Sequence, residues 1–350
     1  MTSPTDASNE RRLDLVFEGG GVKGIGLVGA LTALDEKEFM PQSVAGTSAG
    51  AIVAALVAAD YSVGELRQIL SSLDFKSFRD RAFEGHIPVV GKYLSAAFRK
   101  GMFQGEVFHK WIGELLERKG VRTFADLVDP EFADDPRYRY KLQVIASDIT
   151  AHDLLVLPRD AKRFGVEPDD LPVADAVRMS MGIPMYFKPW PWRSQADGKD
   201  KGKEHLIVDG GVLSNFPVWI FDSDGEPPWP TFGLMLVEPE LRATPGANQP
   251  TAADTGLVTY VKDLASTMME AHDRMYLQND TFARTIPIPT LGVRTTEFDL
   301  PPEKADALFE SGRQAAVDFL ARWNFEKYKA TFRSGERPTR REAIGELQDP

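Results

Sequence analysis

Ser48 sits in Gly46-Thr47-Ser48-Ala49-Gly50, the Gly-x-Ser-x-Gly spacing that presents a serine hydroxyl at a sharp strand-to-helix turn. Val44-Ala45 before it and the apolar run 51–59 after it supply a strand and a buried helix for such an elbow. Gly46 and Gly50 remove the Cβ atoms that would block a tight crossing. A serine hydroxyl attacks only when a base takes its proton and donors stabilise the resulting oxyanion. The run Gly19-Gly20-Gly21-Val22-Lys23-Gly24 offers donors. It follows the β-prone Leu13-Asp14-Leu15-Val16-Phe17 and opens a helix-like stretch over 22–34. Consecutive glycines let backbone N–H groups converge at a positively polarised helix N-terminus, and Lys23 adds a cation. Such a cradle suits a tetrahedral oxyanion, and equally a phosphate.

Gly19, Gly21 and Gly24 also satisfy the Gly-x-Gly-x-x-Gly of dinucleotide sites. That reading needs an acid at the end of a second strand, about 20 residues on. Asp35, Glu36 and Glu38 instead close the helix, and the next strand runs into the serine elbow. No Gly-Lys-Ser/Thr follows the glycines, so a Walker A loop is excluded too. None of the five histidines (His86, His109, His152, His205, His272) stands in a catalytic motif. The better base is Asp209, where the apolar strand Leu206-Ile207-Val208 delivers a carboxylate to its end, followed by Gly210-Gly211.

Together the glycine run, the elbow and Asp209-Gly210-Gly211 resemble the three blocks of the patatin-like phospholipases. Ala146-Ser147-Asp148-Ile149-Thr150 and the 179–187 stretch, with Ser180 and Pro184 four apart, are also family-like. The resemblance covers about 13–232, and its wording is closest to the branch containing bacterial secreted phospholipase toxins. It implies a Ser48–Asp209 dyad acting without histidine, an oxyanion hole from Gly19, Gly20, Gly21, Val22, Lys23 and Gly24, and no metal or cofactor. The elbow comprises Gly46, Thr47, Ala49 and Gly50 around the nucleophile.

The dyad has a physical logic. A solvated aspartate, with a pKa of about 3.9, is a feeble base for an alcohol. Burial raises its proton affinity, and a hydrogen bond aligns the transfer. An ester, with its better leaving group, demands less of such a base than an amide does. The expected activity is therefore lipid acyl hydrolysis, on phospholipid or lysophospholipid. A general carboxylesterase or acyltransferase shares the same acyl-enzyme, and a catalytically silent lipid-binding protein is the third class.

The 350 residues carry a net charge of −11, against nucleic-acid binding, and no cysteine, which removes disulfides and thiolate chemistry. Residues 1–12 are polar without an apolar core, so no Sec signal is expected, and no stretch of about 18 apolar residues occurs. A cytoplasmic or peripheral-membrane location follows, with secretion by a non-Sec route open. Strands are expected at 13–17, 43–47, 140–146, 154–157, 206–209 and 231–237. Helices are expected after both glycine motifs and at 63–73, 106–119, 173–181, 256–277 and 302–323. This alternation predicts an α/β fold with a mostly parallel sheet covered by helices on both faces. Its site should lie at the carboxyl ends of the strands. Trp190 and Trp192, between prolines, read as a packed loop.

The domain expectation is a disordered 1–12, a catalytic domain over 13–325 and a flexible basic tail over 326–350. Within the domain, 75–104 holds six basic and two acidic residues interleaved with aromatics, a cap or an element facing anionic lipid. A protein activator is a further partner the chain allows.

Overall fold

The computed structural model describes residues 11–73, 78, 103–184, 186–198, 200–222, 225–238, 279–293, 295, 297 and 300–333. Among the described residues eight strands are formed: β1 (Arg12–Phe17), β2 (Met40–Thr47), β3 (Leu142–Asp148), β4 (Asp153–Leu157), β5 (Trp190–Arg193), β6 (Glu204–Asp209), β7 (Thr231–Val237) and β8 (Thr285–Pro289). The described α-helices are α1 (Gly24–Asp35), α2 (Ala49–Ala58), α3 (Val63–Ser71), α4 (Glu106–Arg118), α5 (Val173–Ser180), α6 (Asn279–Ala283), α7 (Pro302–Leu320) and α8 (Phe325–Phe332). One sheet results, in the order β5-β6-β3-β2-β1-β7-β8, with β4 also on β3. Contacts β3–β2–β1–β7–β8 are parallel, while β4, β5 and β6 pair antiparallel. The α/β expectation is met.

Alternation along the strands divides the core. Leu13, Leu15 and Phe17 share one face with Val44, Val144 and Leu234, under the large cluster built with α1, α2, α4, α5 and α7. Val16, Ala45 and Ile145 face the other way, onto Tyr138, Trp219, Phe221 and Trp229. Helices were expected on both faces; on the second face the described covering elements are the short 3-10 helix 218–221 and loop aromatics. The helix expected at 256–277 lies outside the described residues.

The feature that builds the site is an end-to-end meeting of two strands on one edge of β3. Ala146, Ser147 and Asp148 pair with β4 on one side and with β6 on the other. Val144 and Ile145 pair with that same β4 and, opposite it, with β2. A strand has only two edges, so β2 and β6 share one. β2 ends with Thr47 beside Ile145, and Asp209 sits beside the next residue, Ala146. Ser48 leaves the sheet at the point where Asp209 arrives from the opposite direction.

Two sequence expectations are corrected, and one strand is added to those expected. Trp190-Pro191-Trp192-Arg193 is the edge strand β5, not a loop, and Trp192 stacks on Phe164 with centroids 4.1 Å apart. Thr285–Pro289 is a strand despite Pro287 and Pro289. Residues two apart direct their N–H positions to one side, so both prolines fit a strand whose outer edge is unpaired among the described residues. The tail does not begin at 326: α8 is ordered, capped by Asn324, with Tyr328 buried against Trp323 at 5.3 Å. Arg333 reaches back to Asp222 at 2.9 Å. Nearly all of the 75–104 segment lies outside the described residues, as do 1–10 and 334–350.

Candidate active site

The elbow forms as its spacing requires. Ser48 has φ 54° and ψ −127°, in the left-handed half of backbone space where a side chain is strained. A Cβ on Gly46 would lie 2.3 Å from Gly50 O, and one on Gly50 would lie 2.3 Å from Phe17 O. No other residue fits at either position. The strained turn is held from outside, because Ser48 N–H donates to Ser180 Oγ at 2.9 Å.

Ser48 Oγ donates to Asp209 Oδ2 at 2.6 Å, and both residues are almost fully buried. The other carboxylate oxygen accepts from Gly211 N–H at 2.8 Å. Both bonds favour the ionised carboxylate, yet burial outweighs them and pushes Asp209 up to about 7. Met181 Sδ lies 3.6 Å from Ser48 Oγ. The glycine after Asp209 is required by the backbone: a Cβ on Gly210 would strike Ile145 O at 2.4 Å. It lets the 209–215 segment turn tightly over β3.

The glycine run abuts the serine, since a Cβ on Gly19 would lie 3.0 Å from that of Ser48. Gly21 has φ +55°, and the run passes through a 3-10 turn into α1. Its donors divide sharply. Gly19 N–H goes to Asn215 O (3.3 Å), Val22 N–H to Thr295 O (3.4 Å) and Lys23 N–H to Gly20 O (3.2 Å), while Gly24 N–H caps onto Gly21 O. Among the described residues, Gly20 and Gly21 are left with N–H groups that have no acceptor. α1 and α2 both start here, and neither carries an acidic residue in its first turn. Neither positive end is therefore neutralised by an acid of its own first turn. Lys23 is buried, with Nζ 3.8 Å from Glu238.

The described histidines lie elsewhere in the hydrogen-bond pattern. His205 Nδ1 meets Asp148 Oδ2 at 2.6 Å, and His109 meets Asp175 at 2.7 Å. Asp148 also accepts from Thr150 N–H at 2.8 Å, a structural arrangement. Sequence reasoning assigned no role to Ser180, Asn215 or Glu18. Glu18 is buried, accepting from Leu236 N–H and from Asn215 Nδ2, which binds it at 3.2 Å. A buried acid beside three glycines was the available signal.

The family model for the patatin-like phospholipases matches residues 15–222, a span holding the glycine loop, the elbow and Asp209. The chain belongs to this family. A patatin-like phospholipase is a lipid hydrolase, and this chain is an enzyme of that class. It is 37% identical over 313 residues to the uncharacterized protein YqhO of Bacillus subtilis, covering 89% of this chain and 99% of that one. Patatin-like phospholipase domain-containing protein 6 of Homo sapiens is 28% identical over 211 residues, 60% of this chain but 12% of that far longer protein. Among solved structures, VipD from Legionella pneumophila superposes with a TM-score of 0.53 at 17% identity. That match covers 89% of this chain and 67% of VipD, and it bears on the fold alone. No described helix is long and apolar enough to cross a membrane.

Proposed function

We propose that this patatin-like phospholipase cleaves carboxylic esters of phospholipid or lysophospholipid through an acyl-enzyme on Ser48. The observation that carries the reading is the buried 2.6 Å bond from Ser48 Oγ to Asp209, with no histidine bonded to either among the described residues. In the first half-reaction Ser48 Oγ bonds to the ester carbonyl carbon while its proton passes to Asp209 Oδ2. The carbonyl oxygen becomes an anion, received by the N–H groups of Gly20 and Gly21 at the positive ends of α1 and α2. Collapse breaks the ester C–O bond, and the leaving alkoxide takes the proton from Asp209. Water then attacks the acyl-enzyme, again giving a proton to Asp209, and Ser48 is regenerated as the fatty acid departs.

An aspartate held up near 7 by burial is matched to this shuttling at neutral pH. The charge pattern of 75–104 supports peripheral contact with anionic lipid. A fluorophosphonate probe tests the nucleophile: it should label the wild type and not Ser48→Ala. Labelling that survives the substitution removes Ser48 from the mechanism.

A further inference from the structure

The segment 209–215 supplies Asp209 at one end and grips the rest of the site along its length. Ser214 O accepts from Thr47 Oγ1 at 3.1 Å, tying it to the elbow. At its far end Asn215, buried, holds the glycine loop twice. Its backbone oxygen takes Gly19 N–H at 3.3 Å, and its Nδ2 donates to Gly19 O at 3.2 Å and to Glu18 Oε1 at 3.2 Å. Glu18 is itself pinned to β7, with its N–H on Leu234 O at 3.2 Å and its other carboxylate oxygen on Leu236 N–H.

We propose that Asn215 is a positioning residue that aims the Gly20 N–H at the oxyanion. Gly19 O and Gly20 N–H belong to one peptide unit, which is planar and trans. Anchoring that oxygen on Asn215 directs the N–H to the opposite side of the plane, away from Asn215. Three glycines in a row have no side chains to hold their peptide planes, and glycine backbone is the least restricted of all. An oxyanion donor works only within about 2.7–3.1 Å of the developing charge. The orientation must therefore be imposed from outside, and Asn215 fixes the peptides on both sides of Gly19. Because the same segment carries Asp209, base and donors are set in one frame.

This rests on the acyl-enzyme reading, and the test separates the two. Turnover of a soluble short-chain ester and fluorophosphonate labelling are measured for wild type, Asn215→Ala, Asn215→Asp and the exchange Glu18→Gln with Asn215→Asp. The exchange moves the amide across the contact, so the 18–215 hydrogen bond is remade with reversed polarity, but Gly19 O loses its donor. Asn215→Asp should lower both kcat and melting temperature. The exchange should recover the melting temperature while kcat stays down by about 10²-fold, the range for one oxyanion donor. KM should remain within about threefold of wild type, and the pH midpoint set by Asp209 should not move. Asn215→Ala, which adds no charge, should show the same kcat loss at unchanged KM. An exchange variant whose kcat returns with its stability, or a kcat loss accompanied by a shifted pH midpoint, overturns the proposal. A wild type that neither labels nor turns over the ester removes the acyl-enzyme reading itself, a result distinct from any pattern among the Asn215 variants.

Discussion

If Asp209 is the base of the proposed dyad, it links activity to stability with opposite signs, and its replacement by asparagine should reveal both. Burial raises this carboxyl from 3.8 to about 7, roughly three pH units, and each unit corresponds to about 1.4 kcal/mol. Between those two pH values the folded chain binds a proton that the unfolded chain has lost. Stability therefore falls as pH rises through this window, by about 4 kcal/mol in all, and levels off above 7. On the proposed mechanism catalysis runs the other way, because only the ionised carboxylate would accept the Ser48 proton. The rate kcat/KM should rise about tenfold per pH unit up to a midpoint near 7, then plateau. Asp209→Asn keeps the shape: its amide oxygen can still take Gly211 N–H, and its NH₂ can face Ser48 Oγ. The variant should be inactive at every pH, yet more resistant to urea than wild type at about pH 8, with the advantage fading towards about pH 4. Paired urea titrations and pH–rate profiles measure both. A wild-type rate that is flat from about pH 5 to 9, or an Asp209→Asn variant less stable than wild type at about pH 8, would refute the burial argument.

Ser180→Ala removes the acceptor of Ser48 N–H and leaves a buried donor unpaired beside a strained backbone. It should cost about 1–3 kcal/mol in denaturant titration and lower kcat, whereas Ser180→Thr keeps the oxygen and most of both; an Ala variant with wild-type turnover would show the elbow holds itself. Tyr328→Ala, in the helix once expected to be a loose tail, should destabilise by about 2–4 kcal/mol through lost packing on Trp323. A loss below about 0.5 kcal/mol would mean α8 is only loosely attached. Replacing Lys92, Arg99 and Lys100 with glutamine should weaken binding to anionic vesicles, at about 1 kcal/mol per charge, and spare hydrolysis of a soluble ester. Parallel loss of both activities would assign 75–104 to the structural cap instead.

The elbow and the glycine loop were legible because their chemistry depends on what is missing: a Cβ at Gly46 or Gly50 meets backbone, so spacing alone betrays the turn. Asp209 was legible as the polar end of an apolar strand. What escaped was whatever depends on a partner distant in sequence. Ser180 and Asn215 are ordinary residues until folding places one 2.9 Å from Ser48 N–H and the other against Gly19. The division of donors within the glycine run, leaving Gly20 and Gly21, likewise depends on Thr295 and Asn215, far along the chain. β5 and β8 were hidden by prolines, which argue against a central strand but not against an edge. Only the register could show that β2 and β6 share an edge of β3.

That shared edge gives the two halves of the proposed dyad unequal footing. Ser48 follows a strand paired over six positions with β1, deep in the parallel core. Asp209 ends a strand that meets β3 at three positions and has the edge strand β5 as its other neighbour. Opening free energies differ between such units, and marginal hairpins open first. Warming the enzyme should therefore detach the base while the central sheet and its helices still hold their hydrogens against exchange. The temperature at which the enzyme stops working would then measure the docking of one hairpin, and the melting of the protein would be a later and separate event.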